Sequence, residues 1–284
     1  MSDVNAGEYS QLHIRLASEF RISAEDLRHF DDRIDQIVLR CGKQNTDSFE
    51  GKTKCMRNAI YNGRQLQSDS SSSAIADYFP HHLLQEGKGT VSAYSFLTLI
   101  LAERLGLRCT PVMLPDYTYI RFSSGSNWDI LDSGKNIREE EYRKRYMLDP
   151  GTGRVAKSIA VPEYEGWIRF QIGSFLDRRG DFPLAETQLR IASAQWADTH
   201  VPVQLALVLE KQDQRKTGLL LLDSLWNWGA HSEELVWNRA MMMVRIGKRS
   251  TEVLQFLDVA QGRLVQSKRL VQLREMLEEG IFAQ

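Results

Sequence analysis

The stretch QEGKGTVSAYSFLTLILAERLGLRC, Gln85 to Cys109, runs a polar glycine loop into the longest apolar segment of the chain. The unpaired N–H groups and dipole at such a helix start favour an anion, and a cysteine in the first turn would be held as a reactive thiolate. This first turn carries Val91, which has no nucleophilic atom, followed by Ser92. The Ser92 hydroxyl is one candidate nucleophile, although a serine at a helix start has an adequate structural reason as a cap or first-turn residue, and that is the favoured reading. Cys55 is the other, because Lys52, Lys54 and Arg57 surround it with charge that favours the thiolate. An isolated cysteine also reads as a small buried apolar residue. Cys109 sits at the far end of the same helix, about 20 Å from its start, too far to replace a first-turn nucleophile. His81 and His82 precede the loop and read as a helix-surface pair unless a partner is placed beside them. EGKGT lacks the spacing of a phosphate-binding loop and no strand leads into it.

These residues have to be positioned by the surrounding elements. Residues 1 to about 66 read as helices. In SAEDLRHFDDRIDQIVLRCG, Ser23 caps a helix whose apolar positions are Leu27, Phe30, Ile34, Ile37 and Val38, with Gly42 closing it. SDSSSS, Ser68 to Ser73, is a surface loop, and AIADYFPHHLL a helix interrupted near Pro80. A helix from about Ser92 to Leu105, apolar on nearly every side, is predicted to be buried. RCTPVML, YTYIRF and NWDIL are short, rich in β-branched and aromatic residues and separated by turn residues, so they read as antiparallel strands covering that helix. REEEYRKRY, 138–146, mixes both charge signs at helical spacing and reads as a solvated face.

The C-terminal part is helical and repeats. Gly173 recurs as Ala206 and Ala240, 33 and then 34 residues on, and the same offsets align Leu176 with Leu209 and Met243, and Leu189 with Leu222 and Phe256. Three degenerate tetratricopeptide-like repeats with a closing helix near 263–279 fit this period. The fold class read from the sequence is therefore α+β, a buried helix plus a small antiparallel sheet in residues 1–154, followed by an all-α tetratricopeptide-like helical array in 155–284.

Lys and Arg total 36 against 37 Asp and Glu, a net charge of −1 that offers no global attraction for nucleic acid or an anionic membrane. The longest apolar runs fall short of the roughly 20 residues needed to span a bilayer. Three cysteines without metal-ligand spacing, and an N-terminus without the pattern of a signal peptide, read as a cytoplasmic protein with reduced thiols. No cofactor and no metal are expected, and the oligomeric state is left open.

LLQEGKGTVSAYSFLTLILAERLGLRCTPVMLPDYTYIRF resembles the SirB-type transglutaminase-like core, with AERLGL at 102–107 and Leu-Pro at 114–115 as its firmest anchors, over residues 75–146. The resemblance implies a papain/transglutaminase-like fold and a Cys-His-Asp arrangement for acyl transfer. It aligns Val91 with the cysteine, Tyr117 with the histidine and Asp132 with the aspartate. Valine cannot attack, and tyrosine, with an ordinary pKa near 10, is a poor base at neutral pH. The expectation is a noncatalytic pseudoenzyme of a bacterial cytosol, acting as an adaptor or regulatory protein that binds a protein or peptide through its repeats and core groove. Two alternatives stand beside it: a cysteine or serine hydrolase or acyltransferase acting on peptide amides with a relocated nucleophile, and a small-ligand or peptide binding module. Ser92, Tyr94, Tyr117, Tyr119, Arg121 and Asp132 are the candidate groove residues, against the plainer reading that the aromatics pack on the sheet and Arg121 pairs with Asp132. Trp226, Trp228 and Trp237 are the candidate interface, against the plainer reading that they fill the spaces between repeats.

Overall fold

The computed structural model describes residues 7–43, 48–67, 71–114, 117–124, 127–132, 135–138, 144, 156–262 and 267–281. For residues 43, 66, 67, 114, 117, 124, 127–132 and 135–138 only the backbone is described. The chain forms two compact units, 1–171 and 172–284. The sequence places the change near 154/155, whereas the division falls inside the helix Val161–Arg179.

Unit one begins with α1 (Glu8–Glu19), α2 (Ala24–Lys43), α3 (Phe49–Tyr61) and β1 (Gln65–Gln67). A 3-10 turn, Ile75–Tyr78, leads to α4 (Pro80–Glu86), β2 (Lys88–Thr90) and α5 (Val91–Arg104). The strands β3 (Cys109–Leu114), β4 (Tyr117–Ser124), β5 (Asn127–Asp132), β6 (Lys135–Arg138) and β7 (Lys157–Ser158) follow, and then α6 (Val161–Arg179). α2 starts where expected: Ser23 Oγ accepts from the Asp26 amide at 3.0 Å and donates to the Asp26 carboxylate at 2.6 Å. The predicted interruption at Pro80 is also present, with proline at the first position of α4, where its missing N–H is harmless.

The strands form one antiparallel sheet in the order β6-β5-β4-β3-β7. β3 and β4 are in register from Cys109↔Phe122 to Leu114↔Tyr117, and β4 meets β5 through Ile120↔Leu131. β6 takes up the first residue of the run expected to be a helical face, Arg138; residues 139–143, 145 and 146 lie outside the described residues. β1 and β2 form a separate parallel pair, Gln65↔Lys88 to Gln67↔Thr90. α5 is the centre of the unit, every residue from Ser92 to Ala102 being buried, with α1 to α4 and the strands β3 and β4 packed around it.

The Glu103 carboxylate at the end of α5 accepts hydrogen bonds from the amides of Tyr9 at 2.9 Å and Ser10 at 3.2 Å, and so caps α1 from another element. Gly7, the N-cap residue of α1, supplies no side chain, and a Cβ there would meet the Glu103 carboxylate at 2.3 Å. α1 is tied to the start of α6 by charges: buried Arg169 donates to buried Glu165 at 2.9 Å and grips the more exposed Glu19 with both terminal nitrogens, at 2.9 and 2.7 Å.

Unit two continues from the last turns of α6 through α7 (Phe182–Gln195), α8 (His200–Lys211), α9 (Arg215–Asn227), α10 (Glu233–Arg245), α11 (Ser250–Gln261) and α12 (Lys268–Glu278). The helices pair as α6/α7, α8/α9 and α10/α11, with α12 closing the array. Between the members of each pair stands one left-handed residue: Gly180, Asp213 and Gly247, with φ of 80°, 59° and 79°. The amide after each bonds back to a carbonyl five residues earlier, Leu176, Leu209 and Met243, at 3.0, 2.9 and 3.0 Å. These bonds are the long bonds of a Schellman turn, and their acceptors are the three residues aligned by the period. Close packing needs small residues: a Cβ on Gly173 would lie 2.8 Å from Leu189, and one on Gly218 would lie 2.8 Å from the Ala206 carbonyl oxygen. Asp177 links successive pairs, accepting from Lys211 at 2.6 Å and Gln204 at 2.8 Å.

A left-handed conformation strains an L-residue, so Asp213→Gly should stabilise the protein by about 0.5–1 kcal/mol, net of the extra freedom glycine has when unfolded. Gly247→Val should destabilise it by about 1–2 kcal/mol through the backbone alone, because nothing lies within 4 Å of its Cβ position. Urea unfolding of both variants measures the two signs.

Candidate functional site

The chemistry expected from the sequence would sit at the junction of β2 and α5. Thr90 is the N-cap there, with extended backbone; its hydroxyl accepts from the Ala93 amide at 3.4 Å and donates to the Asp77 carbonyl at 3.2 Å. The cap is therefore Thr90, and Ser92 is not one. Ser92 lies inside the first turn, fully buried, and its Oγ has no hydrogen-bond partner among the described residues. Val91 beside it is half-buried. The glycines of the loop serve packing and the turn: Gly87 ends α4 at φ 72°, and a Cβ on Gly89 would meet Ala93 at 3.2 Å and Leu83 at 3.3 Å.

Next to Thr90 the Asp77 carboxylate is a buried hub that the sequence reading missed. Its Oδ2 accepts from the amides of Ser73 at 2.9 Å and Ala74 at 3.1 Å and from the Ser72 hydroxyl at 3.0 Å. Burial alone would raise its pKa, but these donors and nearby His82 outweigh it and hold the group below the ordinary carboxylate value. His82 Nδ1 is 3.3 Å from Asp77 Oδ1, an ion-pair distance without hydrogen-bond alignment. Ser72 and Ser73 belong to the loop expected at 68–73. The legible signal was an aspartate three residues beyond the start of a short helical turn, the position from which a carboxylate reaches back to the leading amides.

His81 is not a surface residue. It is buried against His13 of α1, with His13 Nε2 and His81 Nδ1 3.3 Å apart, so that whichever nitrogen carries the hydrogen donates to the other. Phe30, Phe79 and Phe96 pack around His13. Burial and then the neighbouring imidazole push His13 down to about 3. Burial, followed by His82, pushes His81 down to about 4.

The thiols depart furthest from expectation. Cys41 and Cys55 are joined in a disulfide between α2 and α3, so the reading of reduced thiols is overturned for this pair and Cys55 is not available as a nucleophile. Cys109 is the free thiol, and burial, with Glu103 adding to it, pushes it up to about 12. It begins β3, as expected.

The groove residues divide in the same way. Tyr94 is buried, its ring stacked on Tyr61 with centroids 5.1 Å apart, and its hydroxyl has no partner among the described residues. Tyr119 and Arg121 share one face of β4, as alternation requires: Arg121 Nη2 donates to the Tyr119 hydroxyl at 3.5 Å, and Nη1 to Ser158 Oγ at 3.3 Å. Tyr119 is buried. The backbone of Tyr117 opens β4 and that of Asp132 ends β5; their side chains lie outside the described residues. Among the tryptophans, Trp226 is buried against Phe256, 5.1 Å between centroids at 82°, and Trp237 carries the Arg269 guanidinium 4.0 Å above its ring. Trp228 is 88% exposed. No group of three or more His, Cys, Asp or Glu that could hold a metal occurs among the described residues.

Comparison with models of known protein families and with curated proteins returned no match.

Unfolded imidazoles take up protons below about pH 6.5, while His13 and His81 stay neutral in the fold until about 3 and 4. Over that window the unfolded chain binds more protons, so stability rises with pH and is lost on acidification. Thermal melts should show a fall on the order of 5 kcal/mol between pH 6.5 and pH 4 beyond that of the carboxylates, and His13→Gln should flatten the slope by about half.

Proposed function

We propose that the chain is a noncatalytic, transglutaminase-like pseudoenzyme that acts as a protein-interaction adaptor, with its tetratricopeptide-like array as the contact module. One observation carries the noncatalytic part. The chain has three cysteines; two are consumed in a disulfide and the third is a half-buried thiol held up to about 12. Thiolate attack at neutral pH has no residue to perform it.

Val91 in the first turn of α5 is consistent with that reading, and Ser92, sealed and unpartnered, gives a serine mechanism no adjacent base. The small antiparallel sheet packed on the buried helix is compatible with the core that the resemblance implies. For the adaptor, support comes from the repeating turns of unit two and from Trp228, which is exposed. Tryptophan is the residue type most enriched among interface anchors. No described helix is long and apolar enough to cross a membrane. The Cys41–Cys55 bond favours an oxidising setting over the reducing cytosol read from composition.

Iodoacetamide labelling of the native full-length protein at pH 7, read residue by residue by mass spectrometry, tests the noncatalytic part. Cys109 should react at least about 100-fold more slowly than free cysteine, as expected for a thiol whose pKa lies several units higher, and Cys41 and Cys55 only after reduction. Rapid single-site labelling would defeat it. Trp228→Ser in the full chain should leave the circular dichroism spectrum unchanged and abolish cross-linking from a photoreactive group at position 224 to the bound partner.

A further inference from the structure

A pocket of about 420 Å³ opens beside the disulfide, lined by Arg40 of α2, by Cys55, Asn58 and Ala59 of α3, and by Asn62 and Arg64 just beyond it. The four polar side chains converge because the Cys41–Cys55 bond pins α2 to α3, and Arg40 is the residue next to the crosslink. Arginines near helix C-termini have a structural role, since they answer the carbonyls left open there. Arg64 discharges that role through one nitrogen: Nη1 donates to the carbonyls of Ala59 and Ile60, the latter at 3.2 Å. This anchors the guanidinium and leaves its Nε and Nη2 without a hydrogen bond among the described residues. The Arg40 side chain makes no hydrogen bond or ion pair among them. Burial depresses the Arg64 pKa, the Tyr94 hydroxyl opposes that shift, and the charges of Arg33 and Arg40 add to it, with no carboxylate among these influences.

We propose that this pocket binds a phosphate monoester carried on a small hydroxylated molecule, of the sugar-phosphate or polyol-phosphate class. Two planar guanidinium groups offer paired N–H donors in the geometry that phosphate oxygens accept. The carboxamides of Asn58 and Asn62 both donate and accept, which suits the hydroxyl groups of the carrier. Its volume lies within the range of small-ligand sites, larger than a lone phosphate fills. No aromatic ring lines it, so a nucleobase would find no face on which to stack. The site is independent of the reading of α5, and its failure would leave that reading untouched.

Isothermal titration of the oxidised full-length protein with glycerol 3-phosphate, inorganic phosphate and glycerol tests the proposal. Glycerol 3-phosphate should bind saturably and several-fold more tightly than inorganic phosphate, and glycerol not detectably. Arg40→Gln, at an exposed position, should keep the melting profile and weaken binding about tenfold, the loss of one charge-assisted pair. Arg57→Gln, on the same helix as Asn58 but outside the pocket, should leave binding unchanged. Absence of saturable binding at about 10 mM ligand, where any interaction stronger than roughly 3 kcal/mol would register, overturns the site. Binding retained in Arg40→Gln, or lost equally in Arg57→Gln, overturns it as well. Equal affinity for inorganic phosphate and glycerol 3-phosphate overturns the hydroxylated carrier.

Discussion

Burying α5 on every side is the constraint around which unit one is arranged. A helix with no solvent-facing stripe must be covered by neighbours all round, and its polar groups must be satisfied within itself or at its ends. Each fully buried leucine, isoleucine or phenylalanine contributes about 1.5–3 kcal/mol, and the run Phe96–Leu97 and Leu99–Ile100–Leu101 supplies five of them. Thr98 returns its hydroxyl to the Tyr94 carbonyl at 2.8 Å. The N-terminal end is answered by Thr90 and the C-terminal carbonyls of Ala102 and Glu103 by the amides of Leu107 and Gly106, at 2.9 and 3.0 Å, while the Glu103 carboxylate caps α1. The unpartnered hydroxyls of Ser92 and Tyr94 oppose this stabilisation.

The same constraint accounts for the buried polar groups that look like chemistry. α1 and α4 must both lie on α5, and their histidines are thereby pressed together at 3.3 Å in a cage of phenylalanines. Such a pair satisfies itself with one shared hydrogen and needs no substrate. Asp77 closes the short turn that brings the chain to α4, and the carbonyl of the same residue receives the cap of α5. A carboxylate, an imidazole and a hydroxyl thus stand close together for reasons of backbone closure. The His82 imidazole stands 3.3 Å from the carboxylate, out of hydrogen-bond alignment with it.

Much of the fold was legible because it depends on local rules. The Ser23 cap, the break at Pro80, the apolar run of α5 and the strands from Cys109 to Asp132 each follow from periodicity or turn chemistry within a few residues. What could not be read depends on distant partners. The Cys41–Cys55 bond forms because α2 and α3 fold back on each other, bringing Cα atoms to 5.6 Å, and cysteine spacing carries no sign of it. His81 reads as exposed until His13, far away in sequence, is placed on it. Thr90 and Ser92 are both good capping types, and backbone conformation selects between them: Thr90 is extended at ψ 168°, whereas Ser92 is already helical. β1 and β2, three residues each, are too short to show a period. Of the candidate site, the valine in the first turn of α5 was visible, whereas the Asp77 hub and the fate of the thiols needed three dimensions.

Unit two shows why residue identity is a poor guide to a repeat whose geometry is intact. What recurs is a left-handed turn residue with a hydrogen bond from the following amide, and glycine fills that place twice while aspartate fills it once. Aspartate is among the few side chains that tolerate this conformation, so the turn survives the substitution at a small energetic cost. The close-packed sites behave likewise, with glycine in one pair and alanine in the next, provided the neighbouring helix can approach. Selection on such an array acts on backbone conformation and side-chain volume, and many sequences meet both. The exposed surface is free of those demands. Trp226 and Trp237 are held by the array's packing, one against Phe256 and one beneath Arg269. Trp228, placed where the chain leaves α9, meets no such demand, and its side chain contributes nothing to the array's core.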